Sequence, residues 1–278
     1  MSGREPDGAI LPLSAAQREI WFAEQSLDSK NSVYKVGEYI RINGPLDRTL
    51  FERAVRQVID EVDALHVRFA ESGDEVRQVV RRVPDWALPR VDLRGAPDPL
   101  AAAAAWMADD IRGPLDLARG PLFRHALLDL GGDRHIWYHS YHHIVMDAYS
   151  AQLVARRAAT VYTALAAGRA CDERPFGSLR RLLDSDAAYR SSEQFAHDRA
   201  FWSGLLADRP QTPRIVPPSR GTPSEFLRTT ARLPQARLDR MQEVARRARM
   251  PWSQLAIAAT AAYVHRMTGA RDVVVGLP

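Results

Sequence analysis

A hairpin signal in the middle of the chain constrains the fold more than any other feature. Two runs rich in apolar and aromatic residues, Leu122–Leu130 and His135–Tyr141, flank the turn residues Gly131–Asp133. A glycine pair between such runs predicts a β-hairpin with a tight turn. From Tyr149 to Ala167, apolar residues recur at the spacing of one helix face. The sequence therefore predicts a strand, a short loop and a long helix, as in mixed α/β proteins.

Helices and strands alternate along the rest of the chain. Ser14, followed three residues later by Gln17, forms a capping box at the start of a first helix, and Asp47 can cap a second helix. The predicted strands outside the hairpin are Val33–Ile42, Leu65–Phe69, Val76–Val80, Phe226–Leu233 and Asp272–Gly276, and the further predicted helices are Pro99–Ile111, Asp186–Leu206, Leu238–Ala248 and Trp252–Met267.

The composition fits a globular protein and excludes several classes of function. With 46% hydrophobic and 26% charged residues, the chain is neither collagen-like nor wholly disordered. Its apolar stretches, such as Ala101–Met107, are too short to cross a bilayer, and no secretion signal is visible, so we expect a cytoplasmic protein without a membrane partner. The single cysteine, Cys171, fits a reducing compartment. The net charge of +4 is spread along the chain among acidic residues, which argues against a nucleic-acid partner.

Half of the eight histidines, His135, His139, His142 and His143, lie within nine residues. His139 and His143 are four residues apart, a spacing that suits a metal ion on a helix. On a strand, with a rise of about 3.3 Å per residue, the same spacing separates the side chains by about 13 Å. Because the hairpin favours a strand, we expect no metal site. We interpret His135 and His139 as strand residues whose polar face meets solvent.

The two adjacent histidines, His142 and His143, stand at a strand end before a loop, with Asp147 and Ser150 following closely. Imidazole is the side chain whose ordinary pKa, about 6.5, suits proton transfer at neutral pH. The chain contains neither a nucleophile elbow of the G-x-S-x-G type nor a phosphate-binding glycine loop. The loop therefore predicts an enzyme in which histidine manages protons between two bound substrates.

This loop resembles the signature of a known enzyme family. The segment His142–Ser150 is similar to the HHxxxDGxS motif of the condensation domains of nonribosomal peptide synthetases, which are relatives of chloramphenicol acetyltransferase. The segment Leu13–Trp21 resembles the opening SxAQxxLW motif of that family. Further resemblances follow in the order expected for the family. Asp63–Phe69 resembles the family's E-x-L-R-x-x-F segment, and Leu115–Leu117 with Gly120–Arg124 resembles the strand before the hairpin. Phe201–Trp202 and Gly269–Pro278 resemble later positions of the family.

The resemblance implies an α/β fold, an α+β sandwich of the chloramphenicol acetyltransferase-like type. We expect an N-terminal tail at residues 1–9, a complete N-terminal lobe at 10–176, and a connecting helix, linker and start of the second lobe at 177–278. The rest of the second lobe is expected to be missing, because the family's domain is longer and because the chain ends on an apolar strand with nothing to cover it. Two such lobes form a V with a tunnel that admits two phosphopantetheine arms, so we expect the isolated chain to be inactive.

The activity that the resemblance implies is amide formation. The amine of an acceptor aminoacyl thioester attacks a donor acyl or aminoacyl thioester, and each substrate is delivered by a carrier protein. His143 would face the reaction centre, either as general base or as a group that orients the amine, while His142 and Asp147 would hold the loop. The substrate and pantetheine channel would involve Ala148, Tyr149 and Ser150. No cofactor or metal of the domain's own is implied, and a downstream adenylation domain is expected in the same polypeptide.

The chain departs from the family pattern at a few positions. Ala148 stands where the family usually has glycine, and its side chain would crowd a pantetheine arm or forbid a positive φ. His66 replaces the usual arginine of the second motif, for which Arg68 is a candidate substitute, and Val62 stands where the family often has histidine. None of these departures touches His143.

Related reactions of the same superfamily fit these residues less well than condensation. Heterocyclisation domains carry an aspartate at the position of His142, and epimerisation domains usually carry tryptophan where Ala151 stands. Coenzyme-A acyltransferases of the same superfamily have a single histidine in the motif. The alternative of a different class is a noncatalytic condensation-like module that docks carrier proteins or tailoring enzymes, against which the intact His-His-x-x-x-Asp motif argues. The start of the chain near Met1 also suggests that the donor arrives from a separate protein.

Overall fold

The computed structural model describes residues 4–26, 33–73, 75–83, 86–171, 176–208, 212–216 and 231–277. The chain divides into two compact units, Met1–Ser192 and Glu193–Pro278. The lobe boundary expected at residue 176 stays a prediction. None of the helices in the described ranges is long and apolar enough to cross a membrane.

All strands of the described residues lie in the first unit, in two sheets. They are β1 (Ile10–Leu11), β2 (Lys35–Asn43), β3 (Val67–Ser72), β4 (Glu75–Val80), β5 (Arg90–Asp92), β6 (Phe123–Gly131) and β7 (Arg134–His142). The smaller sheet has the antiparallel order β1-β4-β3, and the larger has the order β2-β7-β6-β5, in which only β5 and β6 run parallel. The predicted hairpin is β6-β7. Its turn residues Gly131, Gly132 and Asp133 all have positive φ, which glycine and aspartate tolerate better than most residues.

Helices, together with a 3₁₀ turn at Asp63–His66, account for the rest of the regular structure of the described residues. They are α1 (Ala15–Gln25), α2 (Arg48–Glu61), α3 (Pro99–Arg112), α4 (Ala148–Ala166), α5 (Leu179–Arg190), α6 (Glu193–Leu205), α7 (Gln235–Arg247) and α8 (Trp252–Thr268). The predicted caps are confirmed. Ser14 and Gln17 form the capping box of α1, and the carboxylate of Asp47 accepts hydrogen bonds from the Thr49 and Leu50 amides at the start of α2.

The larger sheet is covered on both faces, and this makes its central strands apolar on both sides. On one face, Trp137 of β7 meets Phe51 of α2 edge to face, at 5.3 Å between ring centroids. On the other face, Tyr138 meets Trp106 of α3 at 5.6 Å. The expectation that His135 and His139 face solvent is therefore wrong. Both side chains are buried, because they share the face of Trp137 that α2 and α4 cover.

A buried ion pair connects α2 and α4 beneath the sheet. The guanidinium of Arg157 donates two hydrogen bonds of 2.8 Å to the carboxylate of Glu61, and both side chains are almost fully buried. Gln57 adds a hydrogen bond to the same carboxylate at 2.9 Å. Planar, two-point pairing of this kind fixes the relative rotation of the two helices as well as their spacing.

The carboxylate of Asp110 attaches the end of α3 to three strands. It accepts hydrogen bonds from Tyr138 and Ser140 at 2.8 Å each, and it pairs with Lys35 at 3.0 Å and Arg124 at 2.6 Å. Burial alone would raise the pKa of the Asp110 carboxyl, but these hydrogen bonds together lower it below its ordinary value. The folded state therefore favours the charged form.

Two predicted elements differ from the structure, and a third lies mostly outside the described residues. The helix expected over Asp186–Leu206 is two helices, since α5 starts earlier at a Ser178 cap and the chain turns at Ser191 and Ser192, whose hydroxyls bond preceding carbonyls. Residues 272–276 form no strand with any other described segment, and a strand requires a hydrogen-bonded neighbour. Residues 226–230, most of the strand expected at Phe226–Leu233, lie outside the described residues, and 231–233 are not a strand.

Replacing Arg157 with alanine tests the pair with Glu61. We expect the free energy of unfolding to fall by about 3 to 5 kcal/mol, because a buried carboxylate loses its cation. Urea denaturation measures the change. The matched control is Arg156→Ala, an exposed neighbour for which we expect a change within about 0.5 kcal/mol. Equal stability of Arg157→Ala and the parent chain would show that the pair does not hold the helices together.

Replacing Asp110 with asparagine tests the junction at α3 through its pH dependence. A carboxyl whose folded-state pKa is lowered contributes stability above its ordinary pKa, and loses it as the pH falls through the folded value. We therefore expect Asp110→Asn to be destabilised at pH 7 and to approach the parent chain between about pH 5 and about pH 2. Asp109→Asn, at an exposed position, serves as the control. A stability difference that is constant over this range would contradict the account.

Candidate functional site

The loop between β7 and α4 separates the two adjacent histidines. Side chains of successive strand residues point to opposite sides, and His142 is buried whereas His143 is exposed. The following residues, Ile144–Met146, return to the interior and are buried. The backbone N–H of His143 donates to the carbonyl of Tyr34 at 2.7 Å. The imidazole of His143 is thus presented outward from a loop that is anchored on both sides.

The imidazole of His142 is only 3% exposed, and both of its nitrogens face protein atoms. Nδ1 accepts a hydrogen bond from the Ile144 amide at 3.2 Å. Nε2 lies 2.7 Å from Oε2 of Glu24, on α1. Because the amide hydrogen occupies the lone pair of Nδ1, the ring proton of the neutral form is on Nε2. His142 is therefore placed to hold the loop and has no free nitrogen for a substrate.

Asp147 caps the helix that follows the loop. Its carboxylate accepts a hydrogen bond of 2.7 Å from the Ser150 amide at the start of α4. Hydrogen bonding to Ser150 lowers the pKa of the Asp147 carboxyl, and the nearby His143 adds to this shift. A carboxylate at a helix N-terminus is also favoured by the helix dipole. The charged form of Asp147 therefore fixes the direction in which α4 leaves the loop.

The three predicted channel residues form the first turn of α4, directly after Asp147. Ala148 is the first helical residue and is not among the residues with positive φ. The concern that alanine forbids the required backbone is therefore removed, because a helical φ suits alanine and glycine alike. Tyr149 is 70% exposed and Ser150 is half-buried. These residues follow His143 by five to seven positions, after the buried segment Ile144–Met146 and the Asp147 cap.

Gln17 connects the first helix to the histidine loop, a role that sequence reasoning missed. Its Oε1 accepts hydrogen bonds from the Ser14 amide at 3.0 Å and from Gln78 at 3.1 Å. Its Nε2 donates to Gln78 at 3.2 Å and to the Ile144 carbonyl at 3.3 Å. The amide thus uses both donors and both acceptor positions in one buried network. The resemblance of Leu13–Trp21 to the opening motif was the signal that could have indicated such a role.

Two further histidines, His125 and His139, stack inside the sheet's covered face, with ring centroids 5.7 Å apart. Burial lowers the pKa of His139 to about 4, and burial and then the neighbouring His139 ring lower the pKa of His125 well below its ordinary value. Both rings are therefore neutral at neutral pH. Among the residues that the structure describes, no group of histidine, cysteine and acidic side chains is arranged to hold a metal ion.

The segment that resembles the second family motif carries a histidine, His66, in place of the usual arginine. His66 is buried, with Nε2 at 3.0 Å from the Ile59 carbonyl. Asp63 instead pairs with Arg82, at 2.8 Å, and Arg82 also donates to the Glu5 carbonyl at 2.8 Å. Arg82, on the segment after β4, is therefore the cation beside Asp63 in this chain, and a compensating role of Arg68 stays a prediction.

Comparison with known proteins identifies the family. The sequence matches the Condensation domain family over residues 8–278. It is 45% identical over 266 residues to the dimodular nonribosomal peptide synthase of Bacillus subtilis, and 40% identical over 270 residues to the isonitrile lipopeptide synthase of Streptomyces coeruleorubidus. Both matches cover 96% of this chain, which spans 11% and 18% of the length of these two relatives.

Solved condensation domains have the same fold. A variant of the starter condensation domain of rhizomide synthetase RzmA, in complex with C8-CoA, superposes with a TM-score of 0.88 at 42% identity, covering 96% of this chain and 61% of that one. The first condensation domain of the CDA synthetase gives a TM-score of 0.81 at 34% identity, with 95% and 64% coverage. The expected mixed α/β, chloramphenicol acetyltransferase-like fold is thus confirmed, and the chain belongs to the condensation-domain family of nonribosomal peptide synthetases.

Proposed function

We propose that this domain forms an amide bond in nonribosomal peptide synthesis. A donor acyl or aminoacyl group is transferred from the thioester of one carrier protein to the amine of an aminoacyl thioester on another. The observation that carries this proposal is the opposite placement of the two adjacent histidines, with His142 buried and anchored and His143 exposed beside the first turn of α4. Family membership supports the reaction class.

The reaction requires that the amine and the thioester carbonyl are positioned together and that one proton is transferred. The amine nitrogen attacks the thioester carbonyl, the C–N bond forms and the C–S bond breaks. The donor's pantetheine leaves as a thiol, and the amine loses one proton. Because a thioester is already an activated acyl group, the barrier falls mainly by holding amine and carbonyl together and by accommodating that proton.

His143 is the residue that we assign to the attacking amine. A general base and a group that only orients the amine need the same contact, a ring nitrogen that accepts a hydrogen bond from the amine. The exposed ring of His143 and its anchored backbone support this assignment. His142 and Asp147 hold the two ends of the loop, and Ala148, Tyr149 and Ser150 border the channel through which a pantetheine arm reaches His143.

The partners follow from the reaction. Donor and acceptor carrier proteins bring the phosphopantetheine arms, the domain contributes no cofactor of its own, and an adenylation domain of the same polypeptide loads the acceptor. The relatives that are named a lipopeptide synthase and a starter domain in complex with C8-CoA favour an acyl donor, so an octanoyl thioester is the first donor to test. The lone Cys171 supports a reducing, cytoplasmic setting.

The function is tested with the complete condensation domain and separately loaded carrier proteins. We expect octanoyl or aminoacyl donor carriers and aminoacyl acceptor carriers to give condensed product on the acceptor, detected by intact mass. Replacing His143 with alanine should lower kcat by at least about 100-fold, within the range for loss of an acid–base group. His197→Ala removes a histidine that is exposed on α6 and should leave the rate unchanged.

Two results would overturn the proposal. Carriers that bind without any product, whichever donor is loaded, would leave a docking module as the function. Product formation by His143→Ala at the parent rate would remove His143 from the reaction.

Substitution of Ala148 tests the channel. We expect Ala148→Gly to change kcat/KM by no more than about twofold and to lower stability by at most about 1 kcal/mol, because the position is helical and exposed. Ala148→Trp should block the arm and lower kcat/KM by at least about tenfold without lowering Tm. A full rate with tryptophan would place the channel elsewhere. A large gain with glycine would show that the alanine methyl group crowds the arm.

A further inference from the structure

Glu24 on α1 lies against the active-site loop, although it is distant from the loop in sequence. We propose that Glu24 is a positioning residue for amide formation. Its carboxylate fixes the ring of His142, and the fixed ring sets the backbone that presents His143. This inference rests on the proposed function, since its effect is measured as the rate of condensation.

The orientation of the His142 ring depends on the groups that face its two nitrogens. The amide hydrogen of Ile144 occupies Nδ1, so the ring hydrogen of the neutral form is on Nε2, and Nε2 lies 2.7 Å from Oε2 of Glu24. A negatively charged carboxylate at this distance favours a hydrogen on the facing nitrogen and disfavours a flip that would replace Nε2 by a ring carbon. Without Glu24, Nε2–H would lose this electrostatic attraction, and the alternative ring orientation would compete.

The orientation of the His142 ring in turn affects His143. Two backbone hydrogen bonds bracket His143, one from its own N–H to the Tyr34 carbonyl at 2.7 Å and one from the next N–H, that of Ile144, to His142 at 3.2 Å. A rotation of the His142 ring would release the Ile144 amide. The peptide between His143 and Ile144 would then be free to turn, and the side chain of His143 would lose its fixed direction.

Helix α1 makes a second contact with the same loop. Gln17, seven residues before Glu24 on α1, donates to the carbonyl of Ile144 at 3.3 Å. Residues seven apart lie on the same face of a helix, two turns from each other. The N–H of Ile144 is thus held through His142 and Glu24, and its C=O is held by Gln17. Helix α1 therefore controls both polar groups of the residue that follows His143.

The side chain of Glu24 is 26% exposed, so its replacement leaves the apolar core intact. We expect Glu24→Ala to lower kcat for condensation by about tenfold to a hundredfold, the effect of a small misplacement of a reacting group. The KM for the loaded acceptor carrier should change less than about twofold, because no carrier contact is removed. Glu24→Gln keeps a partly negative oxygen beside Nε2–H and should recover part of the rate. Glu19→Ala, at an exposed position of the same helix, is the matched control.

Two measurements separate positioning from a loss of folding. Nitrogen-15 spectra of the imidazoles should show a single Nε2–H form of His142 in the parent domain, and a mixture of tautomers in Glu24→Ala at unchanged Tm. In a His142→Ala background, Glu24→Ala should have no further effect on kcat, because the two residues act through one contact. Additive losses in this double-mutant cycle would overturn the proposal.

The proposal and the proposed function fail differently. A parent domain that condenses substrates while Glu24→Ala does so equally fast contradicts the role of Glu24 alone. A parent domain without any product contradicts the condensation function, and the tautomer of His142 still tests whether Glu24 fixes the ring. A Glu24→Ala spectrum identical to that of the parent domain would then contradict the positioning role.

Discussion

The burial of β7 on both faces is the constraint on which the site depends. Up to His142, nearly every residue of this strand contacts either the α2 and α4 side or the α3 side of the sheet. Strand alternation and the start of the loop then place His143 outside, while three apolar residues return the chain to the core. A histidine one position earlier would be buried, so the adjacent pair allows one imidazole to anchor the loop and the other to meet a substrate.

Buried polar groups then fix this arrangement in ways that apolar packing alone does not. The pair of Arg157 and Glu61 connects the two helices under the sheet, and Asp110 attaches α3 to its other face. The amide of Gln17 and the carboxylate of Glu24 reach the histidine loop from α1. Because a directional hydrogen bond specifies orientation where apolar contact does not, these groups determine where the loop residues point.

Local signals carried most of what could be predicted. The capping box at Ser14, the cap at Asp47 and the hairpin at Gly131–Asp133 depend on neighbouring residues only, and all are confirmed. The burial of His139 could not be predicted, because the alternation of residues along a strand does not reveal whether helices cover a given face of the sheet. The contact between Glu24 and His142 joins segments far apart in sequence, and no spacing rule indicates it. The family motif identified the loop from the sequence, whereas the residues that support the loop could be identified only from the tertiary structure.

The central claim is that His143, and not His142, faces the amine of the acceptor. A chloroacetyl-pantetheine acceptor analogue tests this directly, because a ring nitrogen at the reaction centre displaces chloride and forms a stable C–N bond. The complete domain would be treated with the analogue on its carrier protein, digested and analysed by peptide mass spectrometry. The account predicts that the pantetheine label is found on His143 and that His142 stays unmodified. A label on His142, with His143 free, would contradict it.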